Sequence, residues 1–375
     1  MGGKMSPRVK HQLLQRISKL LPCVDTSLFG IQFDQLGLRF QAKLNMIDES
    51  RHCIRPRDEF VRASTNVLLL NAASDILDYH RTFVYNSKDD ILKLNTKSLL
   101  KTLSYLIKNY RNGDVLAKIA CKLLAPLNCT LIGSLLASRN IQNNDRISPE
   151  AFAWFESGLN SDVASGKLKF ASMIYCTGDM VRSEALLCDI EQQYRVHITE
   201  PICGCYDFQR PWIRKGFGHI SKEYDVEAAK SIIAFCVCFF RSEIYCIPHE
   251  LQYELFRSIP ADLPFRTFWD NNWMDCAVVD SLPYLYYLQY KTYSNLQKPF
   301  EQQNALRKLT HAINTERNLG HKETAYNLLG QCMEHQNRYV DALSCYMLSL
   351  RIRARNNAAK IHLCKCLARV MTPNR

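Results

Sequence analysis

Sulfur is the element of this sequence best placed to do chemistry: cysteines one residue apart occur three times, at Cys203/Cys205, Cys236/Cys238 and Cys364/Cys366. A thiolate binds zinc, but zinc sites favour Cys-x-x-Cys or similar spacing with a second ligand pair, and residues two apart on a helix point to opposite sides. Only Cys203 and Cys205 lie in a stretch without helical periodicity, residues 201–218, with His197 and His219 nearby in sequence. The remaining thiols have the character of small buried hydrophobes, and the spacing as a whole predicts neither a metal nor another cofactor.

Other constellations are no stronger. The sequence holds no glycine-rich phosphate loop ending in Lys-Ser/Thr and no Gly-x-Ser-x-Gly elbow. Gly133-Ser134 is similar to the Gly-Ser of nucleotidyltransferases. The downstream LLASRNIQNNDRISPE, however, lacks the alternating carboxylates that two-metal chemistry requires. His80 with Asp75 or Asp78 has the residue types of an acid–base pair, but a solvated helix face accounts for all three, and His249 fits a helix start. Tyr284, Tyr286, Tyr287, Tyr290 and Tyr293 share an apolar segment. A base-stacking platform would need interleaved Lys or Arg, so these rings belong to a core with hydroxyls at its edge. The expectation is a protein that is not an enzyme.

The elements that must carry these residues are helical. Residues 323–356 place Tyr326, Leu329, Gly330 and Met333 on one helix and Tyr339, Ala342 and Tyr346 on a second, the pattern of a tetratricopeptide hairpin. Gly330 and Ala342 supply the small positions that let two helices cross closely. A shift of about 34 residues aligns Ala325, Leu329, Gly330 and Met333 with Ala359, Leu363, Cys364 and Leu367. Lys360 then stands where Tyr326 stood, as in a polar helix that caps a stack over residues 357–370.

A weaker hairpin spans 164–197, out of phase with the first, so the array is irregular. Helices are also expected over 11–21, 60–85, 97–110 and 115–124, with a pause at Pro126, and over 226–245, 248–258 and 300–314. LPYLYYLQYKTY reads as an interior helix and 260–273 as an aromatic loop. Ser148 as cap with Pro149 in the first turn opens a helix after the polar stretch 141–145. The fold class is therefore all-α, an irregular helical-hairpin array or α-α superhelix with a tetratricopeptide-like C-terminal unit. Its regions are an N-terminal helical part, 1–145, and a repeat-like domain, 146–375.

With 375 residues and 47 % apolar side chains the chain can bury a large core. Sixteen cysteines in so long a chain are too sparse for a disulfide scaffold, which points to the reducing cytosol. The longest apolar run, 232–240, is well short of the roughly twenty residues of a membrane helix, so no membrane span is expected. The net charge is +12, and residues 351–375 hold seven basic side chains and no acidic one, a surface suited to acidic partners.

From about residue 147 the phrases ISPEAFAWFESGLNSDVASGKLKFASMIYCTGDMVRSEALL, YCIPHELQYELFR, VVDSLPYLYYLQY, ETAYNLLGQCMEHQNRYVDALSCYMLSL and NNAAKIHLCKCL are distinctive. They resemble C-terminal helical regions of the expanded Mab-twenty-one-like proteins of bivalve molluscs, relatives of cyclic GMP-AMP synthase-like receptors. The nucleotidyltransferase module that often precedes this region in the family is not identifiable here. The resemblance therefore implies a helical interaction module and no catalytic role. The expected function is a protein-binding scaffold whose groove is lined by Asn327, Gln331, His335, Ile361, Lys365 and Arg369, polar and basic positions suited to an extended acidic segment. The alternative is a nucleic-acid-responsive protein of the innate immune kind, suggested by the resemblance and the basic C-terminal segment.

Overall fold

A computed structural model describes residues 96–371 apart from 114, 204, 206–226, 228–229, 268–269 and 317. The expectations for 11–21, 60–85 and His219 lie outside the described residues. The described chain is mostly helical, as the periodicity predicts.

Helices α1 (Thr96–Asn112) and α2 (Val115–Gln142) form the expected antiparallel pair around Gly113. The pause expected at Pro126 is absent, and α2 runs straight through it. A proline inside a helix costs about 3 kcal/mol. Packing on α1, on α3 (Pro149–Gly158) and on α4 (Ser165–Cys176) buries Ala120, Leu123, Leu124, Ile132, Leu135 and Ala137, which outweighs that cost. By length and composition Ala117–Gln142 could also cross a membrane, although 61 % of its apolar window is buried against the rest of the chain. Ser148 caps α3 as expected, its hydroxyl accepting from the Ala151 N–H at 3.2 Å. At Gly133 a Cβ would lie 2.9 Å from both the Phe155 ring and its backbone N, so α2 and α3 meet in close contact across the stretch 141–145. Helices α4 and α5 (Met180–Gln193) make the earlier hairpin, turning at Gly178 with φ +87°.

The buried helix expected over 226–245 is not there. The run IIAFCVCFF instead forms two three-residue strands, β2 (Ile233–Phe235) and β3 (Val237–Phe239), followed by a 3-10 turn over Arg241–Cys246. A short apolar run rich in Ile, Val and Phe suits either a buried helix or a buried strand, and periodicity alone cannot separate them. Here the deciding partners come from distant sequence. Strand β1 (Glu200–Ile202) pairs in parallel with β2, and β4 (Ala277–Val279) pairs antiparallel with β3. The buried Asp162 carboxylate fastens this unit to α4, accepting from the Phe235 N–H at 2.6 Å, the Ser165 N–H at 2.9 Å and the Ser165 hydroxyl at 2.7 Å.

Residues 248–258 become a single turn, α6 (His249–Gln252), and a 3-10 turn, Tyr253–Phe256. Helix α7 (Ser281–Asn295) is interior as predicted, and its tyrosine hydroxyls find partners: Tyr284 donates to Ser172 at 2.7 Å and Tyr287 to Glu250 at 2.9 Å. Helix α8 (Pro299–Thr315) packs on α7. Three helices follow: α9 (Lys322–His335), α10 (Tyr339–Ile352) and α11 (Ala359–Met371). Helices α9 and α10 form the predicted hairpin with α11 against it. A Cβ at Gly330 would sit 2.5 Å from the ring of fully buried Tyr346, so the small residue is required by the crossing itself. Leu329, Met333 and Ala342 are buried in the same core, while Tyr326 and Tyr339 pack at its margin. Asn357 links α10 to α11, donating to the Arg353 carbonyl at 2.8 Å and accepting from the Ala359 N–H at 2.9 Å.

Candidate functional site

The expected groove is covered by the chain's own residues 250–254. Asn327 is fully buried, its amide donating to Glu254 at 2.8 Å and to Asn357 at 3.1 Å. The Gln331 amide donates to the Glu250 carbonyl at 3.1 Å and lies 3.2 Å from His362 Nε2. Lys365 donates to the Tyr253 hydroxyl at 2.5 Å and lies over that ring, while Arg369 pairs with Glu334 at 2.9 Å. Ile361 is half-buried, and exposed His335 places Nδ1 3.0 Å from the Tyr290 hydroxyl. Helix geometry identifies the face that points away from a hairpin's own core, but not a segment 73 to 112 residues earlier that comes to cover it. The six residues are therefore mostly internal contacts rather than an open binding surface. In the basic C-terminal segment, Arg353 and Lys360 are also paired, with Asp270 and Glu323 and with Asp262 respectively.

Chemistry converges elsewhere. Cys203, Cys205, Cys236 and His321 bring three sulfurs and a ring nitrogen within 4.8 Å of one another. Strand pairing positions the sulfurs. Cys203 follows β1, and Cys236, between β2 and β3, donates its N–H to the Ile202 carbonyl at 2.9 Å. That bond sets Cys236 beside Cys203 and Cys205, and the Cys205 and Cys236 sulfurs are 3.9 Å apart. The Cys205 N–H donates to the Cys203 sulfur at 3.4 Å.

His321 comes from a third segment, as the residue immediately before α9. Asp280, just before α7, accepts from the Gly320 N–H at 3.0 Å and the His321 N–H at 2.8 Å, fixing the histidine backbone. Trp273 and the imidazole pack edge to face with centroids 4.7 Å apart. His321 Nε2 then lies 3.1 Å from the Cys203 sulfur. Gly320 makes the approach possible, because a Cβ there would be 2.5 Å from Cys203 Cβ.

The electrostatics of the cluster are those of a thiolate–imidazolium pair. Burial opposes charge on both groups. Hydrogen bonds from Cys205 and Cys236 and the positive His321 nonetheless hold the Cys203 thiol well below its ordinary range, and the Cys203 thiolate raises His321 well above its own. Hydrogen bonding to Cys203 and Cys236, with burial, pushes Cys205 in the other direction. Glu323 Oε1 stands 3.7 Å from His321 Nδ1 on the far side of the ring.

Of the sequence candidates, Cys203 and Cys205 are in this cluster. His197 is exposed and outside it, and His219 lies outside the described residues. Cys236 and His321 were not linked to the pair by sequence spacing, being 31 residues from Cys205 and 118 from Cys203. The Cys236/Cys238 alternation would have been informative only with the strand assignment in hand. The third pair, Cys364/Cys366, splits across α11, with Cys364 exposed and Cys366 buried.

Compared with known protein families, characterised proteins and solved structures, the chain has no match to any of them.

Proposed function

We propose that this protein is a non-catalytic protein-binding scaffold of tetratricopeptide-like hairpins, working in a reducing compartment. The observation that carries this reading is the outer face of the last hairpin. Val340 is 78 % exposed, Met347 52 % and Ile352 49 % along α10, and the neighbouring α11 adds Leu367 at 45 %. At helical spacing Val340, Ser344, Met347 and Arg351 share one stripe, with Leu348 and Ile352 beside it. Exposed apolar residues that line up along one helix face mark interaction surfaces more than scattered ones do. Exposed Arg351 and Arg355 border the stripe and favour a partner segment that is apolar on one face and acidic at its edge. The resemblance to helical regions of the Mab-twenty-one-like proteins agrees with an interaction role, and the binding face moves from the inner groove to the outside of α10.

The test is affinity purification with mass spectrometry of the wild-type chain against Val340→Asp with Met347→Asp. A carboxylate placed in an apolar contact costs over about 1 kcal/mol because its charge is desolvated without a partner, so partners captured by the wild type should fall about tenfold or more in the double variant while its circular dichroism is unchanged. Equal capture by both proteins contradicts the proposal.

A further inference from the structure

We infer that Cys203, Cys205, Cys236 and His321 are the four ligands of a structural zinc ion that fastens the start of α9 to the β1–β2 pair. Three thiolates and one imidazole form a donor set that suits zinc, which prefers tetrahedral sulfur and nitrogen ligands. The spacing fits as well: Zn–S bonds of about 2.3 Å in a tetrahedron separate two sulfurs by about 3.8 Å, and the Cys205 and Cys236 sulfurs are 3.9 Å apart.

Competing explanations leave more unexplained. A Cys205–Cys236 disulfide requires sulfurs about 2.0 Å apart and would strand Cys203 and His321, which converge on the same point from two other segments. Four ordinary core residues would not need Gly320, whose missing side chain admits Cys203, nor the Asp280 carboxylate that holds the Gly320 and His321 N–H groups in place.

The surroundings also match what metal ligands need. Nε2 of His321 lies 3.1 Å from the Cys203 sulfur, while Nδ1 has the Glu323 carboxylate at 3.7 Å, an ion-pair distance longer than a hydrogen bond. The Cys205 N–H donates to the Cys203 sulfur, spreading the charge of a bound thiolate. Four protein donors complete a tetrahedron and leave no position for water, which makes the site structural rather than catalytic. Binding takes up zinc as the divalent ion and releases the Nε2 proton of the His321 imidazolium together with the protons of whichever thiols are protonated, with no change of oxidation state. One ion thus joins segments 118 residues apart in sequence, at the point where the C-terminal hairpin begins.

The full chain, expressed with zinc and desalted under reducing conditions, should carry about one zinc ion per molecule by elemental mass spectrometry. Cys236→Ser and His321→Ala should lose most of it, and Cys364→Ser, exposed on α11, should keep it. Since ligand variants can unfold, the wild-type chain should also be exchanged into cobalt(II), where a Cys3His tetrahedron gives strong visible d–d absorption with thiolate-to-cobalt charge transfer. Wild-type protein that retains no zinc and develops no such absorption would overturn the inference, as would full zinc retention in both ligand variants. Neither result bears on the binding face of α10, so the two proposals fail independently.

Discussion

His362 is a buried histidine held neutral by its neighbours. Its ring stacks on Tyr346 with centroids 5.1 Å apart, and Nε2 lies 3.2 Å from the Gln331 amide, a donor that suits an unprotonated nitrogen. Burial, with the Lys365 ammonium nearby, pushes its pKa down to about 3. A depressed folded pKa means that the unfolded chain takes up the proton first. The stability His362 contributes is therefore complete above about pH 6.5 and is lost as pH falls from there towards 3. The slope approaches about 1.4 kcal/mol per pH unit once the unfolded-state histidine is protonated. Urea denaturation at pH 7, 6 and 5 should show a steeper loss for the wild type than for His362→Gln. Parallel losses would mean that the ring is not held neutral. Single residues were legible in the sequence where their role was local: the Ser148 cap, the small Gly330 and the Cys203/Cys205 loop pair could all be named from spacing. Cys236 and His321 could not, because a metal centre built from three separate segments has no spacing to read.

At the scale of elements, the α9–α10 crossing sets the clearest demand. A Cβ at Gly330 meets Tyr346 Cε1 at 2.5 Å and Cζ at 2.8 Å, and that ring is fixed between His362 and a hydrogen bond to Glu334. Overpacking a tight core costs about 1–3 kcal/mol or more, so Gly330→Leu should lower the melting temperature by several degrees, at roughly 2–4 °C per kcal/mol for larger domains. An unchanged melting temperature would contradict the crossing. Helices with a strong one-sided pattern, such as α1, α8 and the last hairpin, were visible as sequence. Residues 226–245 were not, because a short apolar run is decided by partners, and those partners, β1 and β4, lie on either side of it in the chain. Pro126 misled for a related reason: local propensity marks a stop, and packing along both halves of α2 overrides it.

At the scale of the whole molecule, the described residues form helical hairpins joined through a small strand unit, with residues 250–254 lying against the groove between α9 and α11. The helical class followed from composition and periodicity. The occupied groove did not, since no local pattern records which distant segment covers a face. With that groove occupied, the proposed partner surface is the outer stripe of α10, and the proposed zinc centre at Cys203, Cys205, Cys236 and His321 would hold the hairpin's base in place. The centre is the claim on which this architecture turns, and zinc K-edge X-ray absorption of the purified full chain tests it most directly. The account predicts a first shell of three sulfurs at about 2.3 Å and one nitrogen at about 2.0 Å. A shell of oxygen and nitrogen donors alone would contradict it.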